Sequence, residues 1–213
     1  MNRSLSHSES PQANQYLFRN SYGQIEFLMI EDDMSQLNNY CRMFLNATDQ
    51  EINSAEHWVR NAEGVTARNA DGEELDFMDY EVRDIAQEHL DAWQDTGSFL
   101  ARANCLLLLA CFTEKSLVSL CRDLGSRVPR PKPGNSKVST CIDFLREVCG
   151  VAFDEPDASI RIREQCRLLR NSFAHGEWDE CRKLVGEVDL EQAFKAVSSL
   201  LSTIETSYEG RRQ

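Results

Sequence analysis

The chain has 213 residues, of which 41% are hydrophobic and 27% charged, and carries a formal net charge of −12. That is enough apolar material for a core, in one substantial domain or two small ones. The acidity excludes a broad basic surface that wraps duplex nucleic acid and restricts any RNA contact to a local basic site.

Residues 1–15 are polar, rich in Ser and Asn, and are expected to be disordered, with no apolar core of a signal peptide. From Tyr16 to Ile30 the pattern fits strand or helix, leaning to helix. Apolar residues at three- and four-residue steps (Met34, Leu37, Cys41, Leu45) predict a helix over 31–46, and a second is expected over 49–61. Gly64, Gly72 and the Asn-Ala-Asp-Gly stretch at 69–72 mark a loop and a candidate boundary between an N-terminal helical extension (16–75) and a main bundle (76–208). Residues 50–99 hold 13 acidic against 3 basic side chains, so much of the net charge lies there, as a solvated face or a surface for a basic partner.

Leu75 to Thr96 reads as a helix through Phe77, Tyr80, Ile85, Leu90 and Trp93, broken at Gly97. Phe99 to Leu124 is the most hydrophobic segment and the expected central helix, its apolar arc taking in Leu106, Leu107, Ala110, Cys111, Leu117, Val118, Cys121 and Leu124. Glu114 falls inside that arc. A carboxylate there has to be paired, protonated or set at a cleft, since burial alone costs several kcal/mol, and Arg170 is the candidate partner.

Three prolines interleaved with Arg127, Arg130, Lys132 and Lys137 make 125–136 a basic loop, a phosphate contact or a plain linker. A helix over 136–148 follows, ended by Gly150 and then a Pro-containing acidic loop. The run from Ser159 to His175 places Ile162, Cys166, Leu169 and Phe173 on one stripe, with Asn171 and His175 opposite it, Arg167 in the same row and Arg163 and Arg170 beside it. Gly176 is a natural C′ residue to end that helix. Residues 177–186 read as irregular, and a last helix starts at Asp189 with Gln192 as capping-box partner. The fold class is all-α.

Eight cysteines include no CxxC pair and no ligand-like cluster with histidine, and most lie among apolar residues. This predicts free thiols in a reducing cytoplasm, with no structural metal and no cofactor. No segment reads as a membrane span, with Leu106 to Leu109 taken as the centre of a buried helix. His7, His57 and His89 carry no chemistry-bearing neighbours.

The stretch Leu168-Leu169-Arg170-Asn171-Ser172-Phe173-Ala174-His175-Gly176 resembles the motif of the HEPN superfamily: Arg, commonly followed by a polar residue, then His after four to six positions. The resemblance covers about 76–208 and implies an up-and-down helical bundle that dimerises across a cleft. It also implies a metal-independent endoribonuclease of the toxin–antitoxin or phage-defence kind, acting on RNA and in some systems paired with an antitoxin. Carried over, Arg170 and His175 are catalytic and Asn171 supports them, while Glu114 corresponds to the acidic residue that in some members holds the motif Arg. Arg163, Arg167, Arg130 and Lys132 are the candidate RNA contacts.

The chemistry suits those groups. An imidazole can take the proton from a ribose 2′-OH, and a guanidinium can hold two oxygens of the attacked phosphate, leaving a 2′,3′-cyclic phosphate and a 5′-hydroxyl. The sequence departs from the nucleotidyltransferase-paired members in having Glu177, then Trp178, where those have a Tyr two residues after the His. A non-catalytic helical module for dimerisation or nucleotide binding stays open beside the ribonuclease, as does an adaptor whose acidic N-terminal helices bind a basic partner.

Overall fold

The computed structural model describes residues 16–62, 71, 78–131, 136–153 and 157–210, with the side chains of 78–81 and 157–159 outside that description. The elements among them are helical: α1 (Ile25–Ala62), α2 (Met78–Asp91), a π-helical turn (Ala92–Gly97), α3 (Ser98–Gly125), α4 (Lys137–Glu147), α5 (Asp157–His175), α6 (Trp178–Glu187) and α7 (Leu190–Glu209). The all-α expectation holds there. The expectations for residues 1–15, for the Asn-Ala-Asp-Gly turn before its last two residues and for Lys132 lie outside the described residues.

Helix α3 is the axis of the packing. It touches α1, α4, α5, α6 and α7, and it is buried on several sides at once through Phe99, Cys105, Leu106, Leu109, Phe112, Leu117 and Leu120. Such an element reads in sequence as hydrophobic all round, as this one does. Leu107, Ala110, Val118 and Leu124 pack partly buried against the core, but Cys111 is exposed. The 16–62 region, expected as an extension, places Leu17, Phe18, Phe27, Ile30, Met34 and Cys41 in the same core as α3 and α7. Its entry loop is fastened to α7, where the Phe18 N–H donates to Ser198 Oγ (2.9 Å) and the Ser21 N–H to the Glu205 carboxylate (3.0 Å).

Several boundaries differ from the sequence reading. The two helices expected over 31–46 and 49–61 are one helix of 38 residues that begins only at Ile25. The stretch between them has no Gly or Pro, and Thr48 turns its hydroxyl back to the Phe44 carbonyl (3.0 Å), so nothing interrupts the ladder. Gly97 does not break the next helix. The chain runs through the π-helical turn into α3, giving a continuous helical run over 82–125. Gly97 is there for space, because a Cβ would stand 2.5 Å from Trp93 Cε3.

By length and composition alone, this 44-residue run is long and apolar enough to cross a membrane. The sequence reading found no such segment because it cut the helix at Gly97. Half of its most apolar window is buried in the bundle. On α2 the buried positions are Ala86 and Leu90, while Ile85, expected to face inward, is 55% exposed. Residues 177–186, expected to be irregular, form α6 and bury Cys181, Leu184 and Val185 at helical spacing. The capping at Asp189 is as expected on its backbone side, the Gln192 N–H donating to the Asp189 carboxylate at 2.8 Å.

Candidate functional site

Helix α5 carries the Arg-Asn-x-x-x-His sequence, and its stripe docks as the periodicity predicts: Cys166 and Leu169 are buried, with Ile162 and Phe173 partly so. The end of the helix is fixed by its backbone. Gly176 adopts φ +72°, its N–H bonds the Phe173 carbonyl (3.2 Å), and the Glu177 N–H bonds the Ser172 carbonyl (2.9 Å). This is a Schellman motif with Gly176 at C′, leaving His175 as the last helical residue. Trp178 then closes over the turn, its ring 5.3 Å from Phe173 and 6.5 Å from Phe99, edge to face. Arg182 lies over the other neighbour, Phe99, at 4.7 Å and is tied to Asp95 at 2.8 Å.

Arg170 and His175 sit about 140° apart around the axis. Arg170 turns toward α3, where its Nη1 donates to Glu114 Oε2 at 2.6 Å, and Lys137 Nζ from the start of α4 reaches Glu114 Oε1 at 2.9 Å. The carboxylate expected to need a partner therefore has two. Burial pushes the Glu114 carboxyl up, but the bonds from Arg170 and Lys137 outweigh it and hold it below the usual glutamate range. Lys137 was not anticipated as a partner. A cation in the first turn of a helix opposes the dipole, and that misplacement was the available signal.

The Glu114–Arg170–Lys137 cluster stands between two grooves. One, of about 440 Å³, lies between α3, α4, α5 and α7; the other, of about 360 Å³, runs along α3 past Cys111, Val118 and Arg122. Arg163 and Arg167 line the first groove with Arg170. Arg167 is engaged within its own helix, its Nε donating to Glu164 at 2.8 Å, with a further close contact from Nη2. That pairing holds Glu164 below and Arg167 above their ordinary values. Cys166, on the groove wall, is a buried thiol pushed up to about 11 by desolvation and so stays protonated rather than nucleophilic.

Asn171 and His175 line neither groove and are exposed, on one solvent-facing side of α5 with the 40% exposed Leu168. Neither side chain has a hydrogen-bond or ionic partner among the described residues. The structure thus brings Arg170 together with Glu114, Arg163 and Arg167, but within one chain it does not bring His175 into that cluster. Arg130 is exposed on the loop after α3 and lines neither groove. Among the described residues no three His, Cys, Asp or Glu side chains are grouped to hold a metal ion. Comparison with family models, with curated proteins and with solved structures gives no match to this chain.

Proposed function

We propose that this chain is a metal-independent endoribonuclease of the HEPN kind, cleaving RNA by 2′-OH attack in a cytoplasmic toxin or phage-defence role. The observation that carries the reading is the division of labour on α5. Glu114 orients Arg170 from a neighbouring helix, while His175 and Asn171 stand exposed and unpartnered at a rigid helix end. An exposed imidazole is available for proton transfer, and a guanidinium held through one nitrogen keeps its remaining N–H groups for phosphate oxygens. Because His175 is turned away from Arg170, the complementary proton donor comes from a second copy. Asn171, His175 and the exposed Leu168 are the face through which two copies pair.

The test is incubation of the full chain with mixed RNA in EDTA, beside His175→Ala of equal fold and purity. Cleavage by the parent protein alone, leaving 2′,3′-cyclic phosphate ends, supports the reading. Cleavage that leaves 3′-hydroxyl ends, or no cleavage of tRNA, mRNA or rRNA, sinks it. One observation favours the non-catalytic module instead. Arg167 and Arg170, the cations nearest the motif, are both already bound to carboxylates. On that reading an absence of cleavage accompanies a dimer in solution or saturable nucleotide binding.

A further inference from the structure

The larger groove has a composition that phosphate-backbone binding does not explain. Its walls are aliphatic: Leu109, Val138, Ile142, Ile162 and Val197 line it, and Ile160, 49% exposed, stands at its edge. No aromatic ring lines it, so it offers a nucleobase nothing to stack on. Its polar lining is lopsided in charge. Lys137, Arg146, Arg163, Arg167 and Arg170 face Glu114, Asp143 and Glu164, five cations against three carboxylates, an excess of two on a protein whose net charge is −12.

Each of those carboxylates already holds a cation: Glu114 holds Arg170 and Lys137, Glu164 holds Arg167, and Asp143 holds Arg146 at 3.3 Å. The rim is therefore ordered and still positive in sum. At about 440 Å³ the groove is in the range of small-ligand sites. An aliphatic floor beside an ordered cationic rim matches one chemistry, a flexible hydrocarbon chain ending in a single anionic group.

We propose that this groove binds a free medium-chain fatty acid. The chain lies along Val138, Ile142, Ile162 and Val197, and the carboxylate sits at the α5 arginines Arg163, Arg167 and Arg170. The inference stands on the groove and does not depend on the chain being a nuclease, although Arg170 belongs to both sites.

The test is calorimetric titration of the full chain with decanoate below its micelle concentration, alongside octanoate, hexanoate and decyltrimethylammonium. Expected are one saturable site per chain, about fourfold tighter binding per added methylene and at least tenfold weaker binding of the cationic amphiphile. Ile142→Trp, which fills the groove, abolishes binding, and Arg163→Gln with Arg167→Gln weakens it about tenfold. Should Ile142→Trp fail to fold, the methyl resonances of Ile142, Ile162 and Val197 in the parent chain serve instead, and they shift in step with decanoate occupancy. Absence of saturable binding, equal affinity for both head-group charges, full binding by a folded Ile142→Trp, or binding that leaves those methyls unmoved would each overturn the proposal. Because the readout is binding, an inactive nuclease leaves this test intact, and loss of decanoate binding says nothing against cleavage.

Discussion

Arg170 Nη1 and Glu114 Oε2 lie 2.6 Å apart, joining two helices whose residues are 56 positions apart in sequence. The carboxylate side chain is 20% exposed and the guanidinium 41%, so the pair is wet enough to be screened but dry enough to fix a rotamer. Removing the Glu114 charge frees the arginine from its orientation without taking it away.

Glu114→Gln is accordingly expected to cost about 1 kcal/mol of stability near neutral pH, a value already reduced for solvent screening. The folded-state pKa of Glu114 is depressed, so its contribution is present above the ordinary glutamate value and is lost as pH falls through the depressed value. Denaturation curves of parent and variant should converge on acidification. A gap that stays constant with pH would show that the carboxylate charge is not what matters.

Glu205 has the opposite sign. It is 1% exposed and accepts the Ser21 N–H, yet burial, with Glu31 and Glu209 nearby, raises its pKa despite the backbone bonds from Ser21 and Tyr22. A group with a raised folded pKa contributes stability that is complete below its unfolded value and is lost as pH rises through the folded one. Glu205→Gln keeps an oxygen for the Ser21 N–H and removes the charge. It should melt a few degrees higher than the parent at pH 7 and no higher at pH 4. A lower melting temperature at pH 7 would mean the anion is needed to hold the 16–24 loop on α7.

His175→Ala is expected to cut RNA cleavage by at least about 100-fold, the scale of general acid–base catalysis, with an unchanged melting temperature. The side chain is exposed and unpartnered among the described residues, so its removal costs no packing. Equal loss of activity and of stability would point to a structural imidazole.

Two glycine substitutions separate conformation from crowding. At Gly176 nothing lies within 4 Å of a Cβ, but φ is +72°, so Gly176→Ala should cost about 1 kcal/mol through the left-handed backbone alone. At Gly97 the backbone is helical, and propensity by itself favours alanine by about 1 kcal/mol. There the added methyl meets the Trp93 ring, and Gly97→Ala is expected to destabilise nonetheless. Thermal melts of the two variants decide both signs.

The parts of this fold legible in sequence were those where one period runs unbroken. The central helix, the α5 stripe, the Gly176 stop and the Asp189 cap all follow from residue spacing and local capping chemistry. Gly97 misled because glycine marks either a break or a close approach, and only the Trp93 ring tells them apart. Helix α6 was missed because its ten residues offer just Cys181, Leu184 and Val185 as signal. At the site, Glu114 announced itself as a carboxylate in an apolar arc, which pointed to Arg170. The second partner, Lys137, and the grooves on either side depend on how α4 meets α3 and α5, a relation that no local pattern encodes.

The π-helical turn at 92–97 adds one residue to a regular helical turn and so shifts the register between α2 and α3 by about 100°. Deleting a single residue there would restore an ordinary helix and rotate α2 away from α1 while leaving α3 on its own contacts. The turn acts as a gear tooth between two halves of the molecule. The α1–α2 half can be re-indexed against the rest in one-residue steps, and the Glu114–Arg170 pair lies beyond the tooth, untouched by the change.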